Sequence, residues 1–331
     1  MPRRRARRIL LVAVLAVAAA CGGGTGTTRV VIPAGASFRA AADSLEHAGI
    51  IGSARWFRIY ASLGGHDRRL RPGTYVMSRG MSWGEVLDAL TSGKGLIHTV
   101  TIPEGYAIND IVPLLARSLG LREDSLEAAV RDSALRERLD VPTSTLEGYL
   151  FPDTYQFGDG TTARGAVEPM VRRFEQVWEP AWNDRLRELS LTRHQLLALA
   201  SIVEKEARVA TERPVIAAVY LNRLRIGMRL QADPTVQYAL GGHRPRLFYR
   251  DLEVKSPYNT YLYAGLPPGP IASPGRASIV AALYPAGVPY RYFVAQADGR
   301  HVFSATYREH QRAVAQARRE RAAAARQPAA R

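Results

Sequence analysis

The chain of 331 residues is long enough for one large domain or two ordinary ones, and its 47% apolar and 23% charged residues are typical of a folded protein. Its net charge of +15 lies mostly at the ends, because residues 3–8 carry +5, residues 308–331 carry +5, and only +5 lies between. A nucleic-acid-binding protein needs its basic excess on a folded face, so this distribution argues against that class.

The N-terminal segment starts with arginines and then has no charge from residue 9 to residue 28. These residues would span about 30 Å as a helix, close to one bilayer core, although the strongly apolar part, 9–21, has the length of a signal-peptide core. The arginines favour a cytoplasmic N-terminus. We therefore predict a membrane anchor or signal segment over 1–27, localisation at the cytoplasmic membrane, and a body on the periplasmic side.

Cys21 is the only cysteine, which excludes an intrachain disulfide. It closes the small-residue run VAAAC, so a lipid anchor at Cys21 is the alternative to a membrane-spanning helix. The sequence has no phosphate-binding glycine loop, no H-E-x-x-H motif and no G-x-S-x-G motif. We therefore expect neither a cofactor nor a metal.

The motif V-x-I-P-x-G occurs at 30–35 and again at 100–105, and each copy predicts a strand, a Pro-Gly turn and an amphipathic helix. Between the copies, GTYVM predicts another strand, and Ser82 caps a helix that carries Val86 and Leu90. We predict a small α/β module over 28–98, for which glycan binding and structural support are equally open.

From residue 99 to residue 313 the pattern is mixed and mainly helical. A capping box at Thr192 begins a helix that ends near Ala207, and Thr211 begins a second one. The Pro-, Gly- and Tyr-rich segments that follow are typical of ordered loops that line sites. A basic Ala/Arg-rich tail occupies 314–331. The predicted class is α+β, with an anchor, a small module and a larger domain.

Glu204 and Glu206 stand in the otherwise apolar helix that begins at Thr192. On a helical wheel they lie about 200° apart, one at each edge of the apolar stripe. Both carboxylates could be solvated or paired with Arg208 and Arg213. Glu206 is nearer the helix C-terminus and has apolar neighbours, and both effects raise a carboxyl pKa, as a general acid requires. The wheel alone leaves both interpretations open.

Three segments resemble the YceG-like family of endolytic murein transglycosylases. They are LEGYLFPDTY at 146–155, the stretch from SIVEKEARV to VQYALG at 201–241, and SPYNTYLYAGLPPGPIASPG at 256–275. An N-terminal anchor, a LysM-like module and LRPGTYVM occur in the same order in that family. The resemblance implies that 28–98 is a LysM-like module and 99–313 a transglycosylase domain. The short anchor, its cysteine and the arginine-rich tail depart from the family pattern.

The resemblance implies cleavage of the β-1,4 bond between N-acetylmuramic acid and N-acetylglucosamine in peptidoglycan strands. The 6-hydroxyl of the muramic acid attacks C1 and leaves a 1,6-anhydro end, with one glutamate as general acid and then base, where most glycosidases use two carboxylates. The catalytic position falls on the second glutamate of EKE, Glu206. Membrane anchoring and cell-wall synthases of the penicillin-binding class as partners are also implied.

Seven further residues are predicted to bind substrate or to support the catalytic glutamate. They are Glu204, Asn222, Gln231, Asp233, Tyr258, Asn259 and Tyr261. Tyrosine rings stack on pyranose faces, and an amide can pair with an N-acetyl group. Structural alternatives stay open for these positions: an ion pair for Glu204, a helix cap for Asn222 or Asp233, and packing for the tyrosines.

Two other function classes stay open. A muramidase that uses water would need a second carboxylate, for which Asp233 and Glu147 are candidates, and Asp153 is a further acid beside aromatic residues. A non-catalytic glycan-binding scaffold of the cell-wall machinery is the third hypothesis, and the EKE motif argues against it.

Overall fold

The computed structural model describes residues 26–65, 70–242 and 244–326. The predicted anchor, except for its last two residues, and Cys21 lie outside these ranges. No helix within them is long and apolar enough to cross a bilayer. Many helices combine with short strands, so the predicted α+β class is confirmed.

The described chain divides into two compact units. The first runs to Val100 and also contains Gln156–Thr161, and the second contains Thr101–Tyr155 and the residues from Thr162 onward. The division near residue 100 lies close to the predicted joint after residue 98. The return of the chain to the first unit at 156–161 has no counterpart in the sequence prediction.

The first unit is built around an antiparallel pair of strands. Its elements in chain order are β1 (Thr27–Ile32), α1 (Phe38–His47), α2 (Ala54–Leu63), β2 (Gly73–Ser78), α3 (Trp83–Ser92) and β3 (Leu96–Thr101). A later strand, β4 (Thr154–Gly158), completes a sheet of order β1-β2-β3-β4, and the division between the units falls within β3 and β4. Strand β1 pairs with β2 from Thr27 opposite Ser78 to Ile32 opposite Gly73.

Serine side chains begin the helices of this unit. Ser37 and Ser53 cap α1 and α2, and the predicted cap at Ser82 is confirmed as a full capping box with Glu85. The helices bury Phe57 and other apolar residues against the inner face of the strands. Helix α2, which the sequence does not single out, supplies Ala54, Phe57 and Ala61 to this core.

The second unit is mainly helical. Its elements are α4 (Ile108–Leu119), α5 (Glu123–Ala129), α6 (Ser133–Arg138), α7 (Ala163–Val177), α8 (Ala181–Leu189), α9 (Arg193–Glu206), α10 (Arg213–Arg225), α11 (Asp233–Ala239), α12 (Arg276–Leu283), β5 (Tyr292–Ala295), β6 (His301–Ser304) and α13 (Tyr307–Arg326). The capping box of Thr192 with Gln195 begins α9 as predicted. Helix α10 begins two residues later than predicted, because a 3₁₀ turn, Ala210–Glu212, comes first.

Helix α9 is the centre of this unit. Every residue from Leu196 to Val203 has no measurable exposure, so the helix is buried on all sides rather than along one stripe. It packs against α8, α10, α11 and α12. The one polar side chain in this run, Ser201, donates to the carbonyl of Ala198 and accepts from the amide of Ile271. Both ends of α9 reach the surface, through Arg193 and Gln195 in the first turn and through the EKE motif in the last.

The chain closes with a hairpin and a long helix. Strands β5 and β6 pair from Tyr292 opposite Ser304 to Ala295 opposite His301, and the turn between them contains Gly299 at a φ of 86°. Helix α13 then continues through residue 313 to Arg326, so the predicted start of the tail at residue 314 falls inside a helix.

Candidate active site

Glu206 is the last residue of α9, and its side chain is partly buried where the chain leaves the helix. The hydroxyl of Tyr220, on α10, donates to Oε1 of Glu206 at 2.9 Å. Tyr220 is 1% exposed, and its ring packs edge-on against Phe293 of β5. Two helices and the hairpin therefore hold this carboxyl group in a defined position.

Burial raises the pKa of Glu206 from its ordinary value of 4.5 to about 7. The negative charge of Asp233 acts in the same direction, whereas the Tyr220 hydrogen bond and the charges of Arg223 and Arg208 oppose the rise. Removal from water is the largest cause. A carboxyl with this pKa exists in both protonation states near neutral pH, so it can donate a proton and later accept one.

Arg223 is a buried cation near Glu206. Its Nε donates to the carbonyl of Arg291 at 2.6 Å and its Nη1 to the carbonyl of Leu230 at 2.5 Å. The guanidinium also lies over the ring of Tyr292, 5.5 Å from its centroid. These contacts tie α10 to the hairpin strand and to the segment before α11. Arg223 thus fixes the surroundings of Glu206 and places a positive charge near it.

Asp233 begins α11, and its carboxyl group accepts a hydrogen bond from the hydroxyl of Tyr261. The amide of Gln231 donates to the carbonyl of Thr260 at 3.1 Å, which joins the same two segments through the backbone. Gln231 has a φ of 49°, an uncommon left-handed conformation for a residue with a side chain, and its side chain is exposed. The predicted residues 231, 233 and 261 therefore lie together, and the charge of Asp233 reaches Glu206.

Glu204 points into a different set of contacts. Only 7% of its side chain is exposed, its Oε1 lies 3.3 Å from Nη2 of Arg213, and its Oε2 accepts from the amide of Gly275 at 3.0 Å. These contacts join the end of α9 to the first residue of α10 and to the N-cap of α12. The carboxylate is therefore engaged in an ion pair, the structural alternative left open above.

The two predicted asparagines have internal partners. The amide of Asn222 donates to the carbonyls of Val288 and Tyr290 at 2.8 and 2.9 Å. Asn259 is fully buried, its amide donates to the carbonyls of Leu252 and Val254, and its carbonyl accepts from the amide of Tyr261. Both side chains organise loops through hydrogen bonds to backbone groups; Asn259 is buried, whereas Asn222 is partly exposed.

A second carboxyl group with a perturbed pKa, Glu147, lies among different residues. Both of its oxygens accept from the amide of Ile108, and Oε2 also accepts from the hydroxyl of Tyr238, whose ring lies 4.8 Å from that of Tyr258. Burial raises the pKa of Glu147 to about 7, although these hydrogen bonds oppose the rise. It caps the start of α4 and supports the tyrosine pair. Asp153 instead forms a 2.6 Å ion pair with Arg173.

Sequence reasoning did not select Tyr220 or Tyr238. Each lies in a helix and bonds a carboxyl group that is remote in sequence, 14 residues away for Tyr220 and 91 for Tyr238. A tyrosine within a buried helix needs a partner for its hydroxyl, and Tyr220 lies in the apolar run AAVYL. That signal predicts a buried polar partner without identifying it.

Comparison with known proteins matches the chain to one family. The sequence model of the YceG-like family matches residues 30–316. A Bacillus subtilis (strain 168) protein named endolytic murein transglycosylase is 35% identical over 303 residues, which cover 87% of this chain and 84% of that protein. A protein of the same name from Streptococcus pneumoniae (strain D39) is 30% identical over 319 residues, and the match covers 87% of this chain but 58% of that longer protein.

A solved structure also matches over most of the chain. The crystal structure of a YceG-like protein from Listeria monocytogenes superimposes with a TM-score of 0.63 at 34% sequence identity. The match covers 86% of this chain and 98% of the Listeria chain.

Proposed function

Because the chain belongs to the YceG-like family, we propose that it is an endolytic lytic transglycosylase that cleaves the glycan strands of peptidoglycan. The names of the two curated relatives support this activity. The observation that carries it for this chain is the carboxyl of Glu206, partly buried, bonded by Tyr220 and with a pKa raised to about 7.

In the proposed first step, protonated Glu206 donates its proton to the oxygen that bridges C1 of N-acetylmuramic acid and C4 of N-acetylglucosamine. The C1–O bond breaks, the N-acetylglucosamine side leaves with a new hydroxyl, and positive charge develops at C1 and the ring oxygen. The raised pKa of Glu206 keeps the acid form populated near neutral pH. The charge of nearby Asp233 favours that form and would also stabilise positive charge on the sugar.

In the second step the Glu206 carboxylate accepts the proton of the muramic acid 6-hydroxyl while O6 bonds to C1. This closes the 1,6-anhydro ring and returns Glu206 to its acid form, so water and an external nucleophile are not consumed. The attack is intramolecular, which removes most of the entropic cost of positioning a nucleophile. The Tyr220 hydroxyl and the charge of Arg223 stabilise the carboxylate between the two steps.

On this proposal the glycan strand lies against Gln231, Tyr258 and Tyr261. The exposed amide of Gln231 is available to sugar hydroxyl or acetamido groups, and the partly buried tyrosine rings offer faces to pyranose rings. Glu204, Asn222 and Asn259 support the site through the internal contacts described above.

The proposal also includes location and partners, which rest on the sequence. Residues 1–27 would anchor the protein in the cytoplasmic membrane with its body on the periplasmic side, through a membrane helix or a lipid on Cys21. The module at 28–98 would be LysM-like. The synthases that make glycan strands at the membrane surface would be the protein partners.

Analysis of the cleavage products tests the activity. Purified peptidoglycan is incubated with the protein, and mass spectrometry then separates anhydro-ended fragments from reducing ends, which are heavier by one water. We expect anhydro ends, and we expect Glu206→Gln to lower their rate of formation by about 10²–10⁴-fold, the usual contribution of a general acid. Glu188→Gln, at an exposed position of α8, is the matched control.

The alternatives give different products. Reducing ends in place of anhydro ends would identify a muramidase that uses water, with Asp233 as the second carboxylate. Absence of cleavage by the unmutated protein would favour a non-catalytic glycan-binding role. Unchanged cleavage by Glu206→Gln would refute the assignment of the acid.

A further inference from the structure

A pocket of about 420 Å³ opens on the loop that follows Glu253. Its lining consists of Lys255, Ser256, Pro257, Tyr263, Leu266 and Pro268. The walls are mostly apolar, and Lys255 is the one charged side chain among these residues. Tyr263 leaves 52% of its surface exposed. Lys255 is exposed, so its charge is available to a ligand.

The pocket belongs to the same loop as the residues beside Glu206. Asn259 joins the two ends of this loop, because its amide binds the carbonyls of Leu252 and Val254 and its carbonyl accepts from the amide of Tyr261. The hydroxyl of Tyr261 in turn bonds Asp233. Full burial of Asn259 makes these bonds strong, so the lysine side and the Asp233 side of the loop keep a fixed relation.

A second cavity adjoins the pocket. It has a volume of about 540 Å³, shares Leu266 and Pro268 with the first, and reaches Thr192 and Gln195 at the start of α9. Helix α9 has 14 residues, so its first and last turns lie about 20 Å apart at 1.5 Å per residue. The two cavities therefore adjoin at Leu266 and Pro268, and the second lies at the beginning of α9.

The mostly apolar walls of the two adjoining cavities and the exposed Lys255 of the first suit a short acidic peptide. In peptidoglycan, such a peptide is attached to the lactyl group of N-acetylmuramic acid, the sugar whose C1 reacts. A stem of four or five extended residues spans about 13–18 Å. Its free carboxylates suit an exposed ammonium group, and its alanine methyl groups suit walls of proline and leucine.

We propose that this pocket is a subsite for the acidic peptide stem of the strand being cleaved, with Lys255 pairing with a stem carboxylate and Tyr263 packing against the peptide. The inference rests on the proposed function, since a stem reaches the pocket when its muramic acid lies at Glu206. It assigns part of the enzyme's substrate selectivity to a loop outside the reacting centre.

Two forms of one substrate test the inference. Glycan strands that carry stems are compared with the same strands after an amidase has removed the stems, and kcat/KM is measured on each. The unmutated protein should prefer strands with stems. Lys255→Ala should lower this preference about three- to tenfold, the range expected for a partly exposed charged contact. Lys255→Arg should retain most of the preference, and Lys255→Glu should lower it further.

Lys94→Ala is the matched control, since Lys94 is an exposed lysine of the first unit. It should leave the preference unchanged. Thermal unfolding of each variant shows whether the fold is retained. The preference of the unmutated protein should also decline as salt is raised from about 0.05 to 0.5 M, because an exposed ion pair is screened.

The remaining outcomes overturn the inference in distinguishable ways. Equal losses by Lys255→Ala on both substrates would mean that the pocket holds glycan rather than peptide. Absence of any preference in the unmutated protein would exclude a stem subsite while leaving the transglycosylase activity intact. If neither substrate yields anhydro ends, the proposed function fails, and the inference fails with it.

Discussion

Replacing Tyr220 by phenylalanine should move the pH dependence of cleavage to higher pH. The change removes the hydroxyl that donates to Oε1 of Glu206 at 2.9 Å and leaves the ring in place. A hydrogen bond to an ionised group contributes about 1.5–3 kcal/mol, and 1.36 kcal/mol corresponds to one pKa unit. Because this bond favours the carboxylate, its loss should raise the pKa of Glu206 from about 7 to about 8 or higher.

The assay is kcat/KM for release of anhydro-ended fragments between pH 5 and 9. A general acid loses activity as pH rises through its pKa, so the alkaline limb should lie near pH 7 in the unmutated protein and about one unit higher in Tyr220→Phe. At pH 8 the acid fraction should rise from about a tenth to about a half, while the maximal rate falls because the carboxyl is less firmly oriented.

A control variant separates this effect from loss of a buried hydroxyl in general. Tyr75→Phe removes a hydroxyl that donates to the carbonyl of Arg71 in the first unit, and it should leave the pH profile unchanged. An alkaline limb that stays at the same pH in Tyr220→Phe, or moves to lower pH, would refute the assignment of Glu206 as the titrating acid.

Two further predictions concern stability. The pKa of Glu206 is about 7 in the folded chain and near 4.5 in the unfolded chain, so the folded state loses stability as pH rises through this window. Glu206→Gln should therefore raise the unfolding free energy by up to about 3 kcal/mol at pH 8 and by little below pH 4.5. Chemical denaturation at pH 8 and below pH 4.5 checks this. A gain of equal size at pH 4 would contradict it. Glu204→Gln should lower the unfolding free energy by about 1–3 kcal/mol at neutral pH, because it leaves the partly buried Arg213 without its anionic partner. It should reduce cleavage far less than Glu206→Gln. Equal loss of activity in the two variants would give Glu204 a part in the chemistry.

Local features of this chain were predictable because they depend on residues within about four positions. The cap at Ser82, the capping box at Thr192 and the helix that ends at the EKE motif are confirmed where the sequence predicts them. Each depends on one side chain that bonds a nearby backbone amide, or on the short-range pattern of apolar residues. The raised pKa predicted for Glu206 also depends on local features, namely the helix end and the apolar neighbours.

The prediction that α9 buries one face is wrong, because helices on several sides cover every residue from Leu196 to Val203. The assumption of one buried face holds for a surface helix and not for the central helix of a unit. The sequence therefore placed Glu204 and Glu206 at equivalent edges of an apolar stripe. In the packed unit Glu204 instead pairs with an arginine, and Glu206 accepts a hydrogen bond from a tyrosine.

The amino-acid sequence by itself determined many of the helices and strands, the caps at Ser82 and Thr192 and the family, and it supplied the proposal that Glu206 is the reactive carboxyl group. Only the tertiary structure decided which partner each polar side chain bonds. Tyr220 donates a hydrogen bond to Glu206, the amide of Gly275 donates to Glu204, and Asn259 bonds backbone carbonyls within its own loop. The physical reason is the range of the interactions. Helix periods and caps are set by near neighbours, but a buried hydrogen bond or ion pair depends on which distant segments pack together.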